Sequence, residues 1–321
     1  MAKYKIYVTD DRHGSYEIES ALLAGADAEV IVRNCSTESE IAAQCADADG
    51  LLLNLAPCGK QVMDALHRCK VINRYGVGCD NVDIDAATAR GIQVTNVPDY
   101  CVEDVSDHAL ALMLACLRQV ALRDSRIRTG GWNIPGESFR LRGSVLGILG
   151  FGRIAQCLAR KCSGFGFTKI LVYDPYVSEE QCVEYGAIKA ELKTVLEQAD
   201  LVSLHMPVTE QTRGMINGER ISWMKPNAIL INTARGQLIE DDALIAALKE
   251  GRILAAGLDT HRAEPLPRDS EYFALDNVVL TDHSGYNTVE AVRELKIKSA
   301  QNIADVLLGR PPKYAVNQPV R

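Results

Sequence analysis

Apolar residues fall in short blocks along the first hundred positions, and the period of the blocks alternates between two and about 3.6. Tyr4 to Thr9 alternates and is rich in β-formers, which predicts a strand. Glu17 to Ala24 carries helical spacing, and Ala28 to Val32 reads again as a strand. Thr37 with Glu40 three residues on is a capping-box pattern that opens the next helix. Leu51 to Leu55 and Val71 to Tyr75 predict strands on either side of a helix from Gly59 to His67. Strands alternating with helices imply a parallel sheet covered on both faces. Glu103 to Leu122 is apolar nearly all round and predicts one long buried helix, a spine between two sheet units. Periodicity is lost from Arg123 to Arg142. It resumes with strands at Val145 to Leu149, Lys169 to Tyr173, Leu201 to His205, Ala228 to Asn232, Leu254 to Asp259 and Val278 to Thr281, and a final helix from Val289 to Leu308. The pattern is that of an α/β protein with two doubly wound parallel-sheet domains.

Ligands of such sheets gather at the carboxyl ends of the strands. The strand Val145 to Leu149 runs into Gly150-Phe151-Gly152 and then a helix from Arg153 to Lys161. Gly150 permits the tight turn and Gly152 lets backbone approach a pyrophosphate. The helix N-terminus offers N–H donors and a positive dipole end. Ala155 stands where close helix–strand packing asks for a small residue. Asp174, 22 residues beyond Gly152, ends the next strand where an acidic residue accepts from an adenosine ribose. This predicts a Rossmann-type site for NAD(H) rather than NADP(H), since Asp174 would repel a 2′-phosphate and Pro175-Tyr176 adds no cation. In the first half, Asn54-Leu55-Ala56 and Tyr75-Gly76-Val77-Gly78 occupy strand ends. The glycines there suit either a small anion or an ordinary turn.

Composition narrows the partners. The chain has 321 residues, 47% hydrophobic and 24% charged, with a formal net charge of -7. No basic stripe suggests nucleic acid. The longest apolar run, Ala109 to Leu117, is short for a membrane span, and no leader with an apolar core opens the chain. The expectation is a cytoplasmic protein with neither membrane nor nucleic acid as partner. Ten cysteines form no C-x-x-C pair and no zinc-type cluster, so they read as reduced, packed thiols and no metal is expected. Trp132, in the aperiodic Gly130 to Gly136 stretch, could meet a partner subunit or cover its own domain.

Four polar groups follow the later strands: Arg235, Asp259, Glu264 and His283. An arginine for a carboxylate, a histidine for a proton and a carboxylate to hold that histidine suit hydride transfer to a carbonyl acid.

Gly150-Phe151-Gly152-Arg153-Ile154, Tyr173-Asp174-Pro175, His205-Met206-Pro207-Val208-Thr209, Asn232-Thr233-Ala234-Arg235-Gly236 and Glu264-Pro265-Leu266-Pro267 resemble the D-isomer-specific 2-hydroxyacid dehydrogenases. So do Tyr75-Gly76-Val77-Gly78, Asp80-Asn81-Val82-Asp83 and Asn96-Val97-Pro98, so the resemblance runs the whole chain in order. It implies Arg235 as the carboxylate binder and His283 as general acid/base paired with Glu264. It implies cofactor contacts from Gly150, Gly152, Arg153, Ile154, Asp174, His205, Met206, Pro207, Thr212, Thr233, Ala234, Arg235, Asp259, His283 and Gly285, with Asp259 near the nicotinamide amide. Asn54, Leu55, Ala56, Val77 and Gly78 would face the substrate together with Arg235 and His283. The resemblance also implies a discontinuous, flavodoxin-like substrate domain (1–101 and 287–321), an NAD-binding domain (102–286) and a homodimer through the NAD-binding domains.

The chain departs from many members at Thr260-His261, at Asp282 before His283, and at Ser284-Gly285-Tyr286, positions that bear on substrate choice. Glu264 differs from the glutamine of the formate dehydrogenase branch. No arginine lies in Asn54 to Cys58, which favours a small unphosphorylated 2-oxoacid such as hydroxypyruvate or glyoxylate. Arg74 could supply a phosphate site or a structural salt bridge. Phosphoglycerate dehydrogenase is the nearest alternative, although no regulatory extension follows Arg321. The segment around Pro98-Asp99-Tyr100 and Tyr286 also resembles the NAD-sensing corepressor branch, which would act by binding peptides.

Overall fold

The computed structural model describes residues 2–319, and the chain divides into two compact units. One holds the residues up to Cys101 together with those from Thr288 onward; the other holds Val102–Asn287.

The first unit is a five-stranded sheet of β1 (Tyr4–Val8), β2 (Ala28–Val32), β3 (Gly50–Leu53), β4 (Val71–Arg74) and β5 (Gln93–Thr95), in the order β2-β1-β3-β4-β5, every pair parallel. This is the flavodoxin-like order, with its reversal between β1 and β3. β3 and β4 are buried at every position, as strands covered on both faces must be. The capping box at Thr37 and Glu40 is formed. The terminal helix Val289–Leu307 belongs to this unit and packs on the helix Glu17–Ala24 and on β4. Its Asn302 donates to Asn73 Oδ1 at 3.0 Å inside the core.

The second unit contains β6 (Val145–Leu149), β7 (Lys169–Tyr173), β8 (Ile188–Lys189), β9 (Leu201–Leu204), β10 (Ile229–Asn232), β11 (Ala255–Leu258) and β12 (Val278–Leu280). Their order is β12-β11-β10-β9-β6-β7-β8, all parallel, the doubly wound dinucleotide-binding order with its reversal between β6 and β9. Two apolar layers sandwich the sheet. Leu149, Val202, Leu230 and Leu258 face one layer; Leu146, Ile148, Ile229 and Ile231 face the other.

The long helix expected from Glu103 to Leu122 is two helices, Val102–Leu117 and Val120–Arg128, bent by 62°. The backbone breaks at Gln119, which is left-handed with φ 54. The break lets two side chains hold the stretch that follows. Gln119 Nε2 donates to the Glu137 carbonyl at 2.9 Å, and Arg123 Nη1 donates to that of Ile134 at 3.3 Å. Helix therefore continues into a region that looked aperiodic, because the charged face of Val120–Arg128 is unburied and carries no apolar stripe. Among the described residues no single helix is long and apolar enough to cross a membrane, and no cluster of three His, Cys, Asp or Glu could hold a metal.

Candidate active site

Strand register sets up the chemistry of the second unit. Tyr173, Leu149, Leu204, Asn232, Leu258 and Leu280 pair in one row across the sheet. The residues one position later, Asp174, Gly150, His205, Thr233, Asp259 and Thr281, therefore line the carboxyl edge together.

Gly150 has φ +86, and a Cβ there would sit 2.8 Å from the carbonyl group of His205. The residue must be glycine on both counts. A Cβ on Gly152 would meet no atom within 4 Å, so the helix Arg153–Cys162 opens onto clear space. Asp174 Oδ2 accepts from the Phe151 N–H at 2.8 Å and Oδ1 from the Tyr176 N–H at 2.8 Å, which holds the carboxylate at the lip of that space. Open glycine backbone, a helix N-terminus and a fixed carboxylate fit a dinucleotide. Arg153 is exposed and Ile154 half-buried at the same end. Thr233 adds a buried hydroxyl with no partner in the protein.

Other expected cofactor contacts are engaged within the chain. The His205 ring is hydrogen-bonded to Ser203 Oγ at 2.8 Å, and desolvation pushes it down to about 4, so it is neutral at pH 7. Met206 is buried. The Thr212 hydroxyl donates to the Pro207 carbonyl at 2.7 Å and accepts from the Thr209 N–H at 2.7 Å, closing its own loop.

Arg235 follows β10 in a turn held by Asn232, whose side chain accepts from the Ala234 N–H at 3.0 Å and donates to the Arg235 carbonyl at 2.8 Å. Arg235 Nη1 donates to the Ala234 carbonyl at 2.7 Å. Gly236 packs so closely on the His261–Arg262 backbone that a Cβ would lie 2.0 Å from a carbonyl carbon. The arginine turn and the Glu264 loop are thus one packed block.

Glu264 Oε2 lies 2.8 Å from His283 Nδ1, and Glu264 Oε1 accepts from the His261 N–H at 3.0 Å. Burial would raise the Glu264 carboxyl, but the His283 contact and the His261 N–H outweigh it and hold it below the usual range. An ionised Glu264 can only accept, so Nδ1 carries a proton and Nε2 is the nitrogen left for chemistry. His283 is left-handed, with φ 56, a conformation that costs a non-glycine residue about 1–3 kcal/mol.

Asp259 holds that conformation. Its carbonyl accepts from the His283 N–H at 2.8 Å. Its carboxylate accepts from Ser284 N–H and Gly285 N–H at 3.0 Å each, and from the Thr281 hydroxyl at 2.6 Å. Burial would raise this carboxyl, yet the hydrogen bonds of His108 and Thr281 and the Gly285 N–H bring it down to about 2. The Asp259 carboxylate is turned onto the His283 loop. His108, on the helix Val102–Leu117, escaped the sequence reading; nothing in an apolar helix marks one histidine as a partner of a loop 173 positions away.

In the first unit, Asp10 organises the loop that holds Asn54. The Asp10 carboxylate accepts from the Asn54, Leu55 and Ala56 N–H groups at 2.9, 2.7 and 3.0 Å, and the Asn54 side chain donates to the Asp10 carbonyl at 2.7 Å. Asn54 is buried, and one of its two amide hydrogens is engaged by Asp10. Val77 is exposed and Gly78 half-buried beside it in sequence, and the Val77 carbonyl accepts from Asn96 Nδ2 at 2.6 Å. Arg74 is buried, with Nη1 pressed against Gly76, which is why that glycine with φ +136 has room for no side chain.

Residues 110–285 match the family described as "D-isomer specific 2-hydroxyacid dehydrogenase, NAD binding domain". The chain is 41% identical over 283 residues to the glyoxylate reductase of Pyrococcus furiosus, covering 85% of this chain and 84% of that one. It is 37% identical over 319 residues to the D-3-phosphoglycerate dehydrogenase of Methanocaldococcus jannaschii, covering 98% of this chain but only 60% of that longer protein. Among solved structures, a D-lactate dehydrogenase of Aquifex aeolicus complexed with NAD and lactic acid matches with a TM-score of 0.88 at 26% identity, covering 98% of this chain and 100% of that one.

Proposed function

The chain belongs to the D-isomer specific 2-hydroxyacid dehydrogenase family and is an NAD-dependent oxidoreductase of D-2-hydroxyacids; we propose that His283, Glu264 and Arg235 are the residues that carry its reaction. The observation behind this reading is the Glu264–His283 pair at 2.8 Å, held in the same unit and at the same sheet edge as the open glycine turn. In the direction of reduction, bound NADH would supply the hydride. Protonated His283 donates from Nε2 to the carbonyl oxygen while Glu264 keeps Nδ1 fixed and balances the charge. Arg235 takes the carboxylate in a two-pronged hydrogen bond, which orients the carbonyl. Gly150, Gly152, Arg153, Ile154 and the loop after His205 would hold the cofactor, with Asp174 on the ribose hydroxyls.

The substrate in this reading is a small unphosphorylated 2-oxoacid, glyoxylate or hydroxypyruvate. The Asn54–Ala56 loop supports it: its N–H groups are already taken by the Asp10 carboxylate. A phosphate dianion reaching that loop would meet fixed negative charge rather than donors. Cysteines kept as buried thiols, such as Cys45, Cys58 and Cys182, support a reducing cytoplasmic setting. Trp132, 80% exposed, supports a homodimer through this unit.

The test is NADH oxidation across glyoxylate, hydroxypyruvate, pyruvate, longer 2-oxoacids and phosphohydroxypyruvate. A kcat/KM for phosphohydroxypyruvate tenfold above that for hydroxypyruvate would overturn the substrate assignment. His283→Asn should slow turnover by roughly 10²–10⁴-fold with NADH binding retained; near-normal turnover would remove His283 from the mechanism.

A further inference from the structure

We infer that His108 is a positioning residue for the proton-transfer step: it is the outermost donor of a relay, His108 to Thr281 to Asp259, that holds the His283 loop in its left-handed form. The inference rests on the assignment of His283 as proton donor. His108 Nε2 lies 2.9 Å from Thr281 Oγ1 and 3.3 Å from Asp259 Oδ1. Thr281 has one hydroxyl proton, and it goes to the Asp259 carboxylate at 2.6 Å, because an ionised carboxylate can only accept. The contact between His108 and Thr281 therefore requires a hydrogen on His108 Nε2, whatever the charge of the ring. The direction of every bond in the relay is thereby set.

The ring also acts by shape. A Cβ on Gly285 would lie 2.9 Å from Asp259 Oδ2, 3.2 Å from His108 Cδ2 and 3.3 Å from His108 Cγ. Imidazole and carboxylate together form the wall on which Gly285 rests. The Thr281 carbonyl accepts from His261 Nε2 at 2.8 Å, so the segment leading to His283 is gripped at its side chain and at its backbone by two histidines. Neither histidine is the proton donor. Removing the His108 donor leaves Thr281 free to rotate away from Asp259, and the strained residue two positions on loses part of what holds it. Misplacement of a reacting group by about 1 Å can cost on the order of 10²-fold in rate.

The experiment uses the full chain, with kcat and KM for glyoxylate or hydroxypyruvate from NADH oxidation and NADH affinity from fluorescence titration. His108→Ala should lower kcat roughly 10- to 100-fold while the NADH Kd moves less than about threefold. His108→Gln, which presents a donor at a similar reach, should recover most of the loss. Thr281→Val should reproduce it, and the double variant should be no slower than the worse single one, because both remove the same relay. Should His108→Ala fail to fold, the Gln and Val variants carry the comparison. A His108→Ala enzyme within threefold of wild-type kcat, or losses that multiply in the double variant, would overturn the inference. His283→Asn run alongside separates the two readings: if it is inactive, such results count against His108 alone, and if it turns over normally, the assignment of His283 fails first.

Discussion

At the point where strand order reverses, between β1 and β3 in one unit and between β6 and β9 in the other, a parallel sheet offers a crevice lined by backbone N–H groups. In the first unit Asp10 follows β1 and places its own carboxylate on the N–H groups of residues 54 to 56. In the second unit the residue after β6 is Gly150, and no Cβ contact closes the space at Gly152. The same architecture thus yields one crevice filled by the chain's own anion and one left open at Gly152. What distinguishes them is a single side chain after the first strand, together with the distance from which the next acid arrives: Asp174 comes from the neighbouring strand and takes only the Phe151 N–H within the turn.

That contrast can be broken from either side. Asp10→Ala should lower stability by about 2–4 kcal/mol, since backbone donors bonded to a carboxylate lose their partner together. The melting temperature should fall, while the NADH Kd of the folded protein stays near wild type. Unchanged melting would mean that water satisfies the loop equally well. Gly152→Val should do the reverse, weakening NADH by roughly 10- to 100-fold at unchanged melting temperature, because the added side chain meets ligand rather than protein. If instead the protein is destabilised and NADH binding persists, the space is not the pyrophosphate site.

Asp174→Asn sharpens the comparison by removing charge and keeping shape. The preference for NADH over NADPH should narrow by roughly tenfold, as the like-charge repulsion of a 2′-phosphate is lost; equal preference before and after would detach Asp174 from cofactor choice. The smallest effect concerns acid. The Glu264 carboxyl is held below the usual range in the folded protein, so its contribution to stability is complete above its unfolded value of about 4.3 and is lost as pH falls through the lower folded value. The gap in melting temperature between wild type and Glu264→Gln should therefore shrink from pH 5 to pH 3. A gap that is constant or widens would contradict the ion pair.

Most of the sheet was legible because strands buried on both faces are continuous apolar runs, and the runs end where chemistry begins. Elements too short to form a run escaped: β5, β8 and the helix Ile84–Ala89. The break at Gln119 escaped because neither glycine nor proline marks it; tertiary bonds from its own side chain and from Arg123 stabilise it. In the site, Glu264 and His283 were legible as types after strands. Asp10 went unremarked, since its partners lie 44 to 46 positions away. The internal bonds of Asn54 and Thr212 were not legible, because a polar side chain in a loop does not announce a partner within its own surroundings.

The paired row from Tyr173 to Leu280 has a consequence for how this chain tolerates change in length. Each residue just past that row takes its position from counting along a strand, and one step of miscounting turns a side chain to the opposite face. A one-residue deletion inside β11 would carry Asp259 away from its place and with it the loop that bears His283, although the strand itself could re-pair. The same deletion in a connection at the amino ends of the strands would be absorbed before the count begins. Natural and engineered length variation should accordingly accumulate at that end of the sheet, and the carboxyl edge should behave as a fixed ruler.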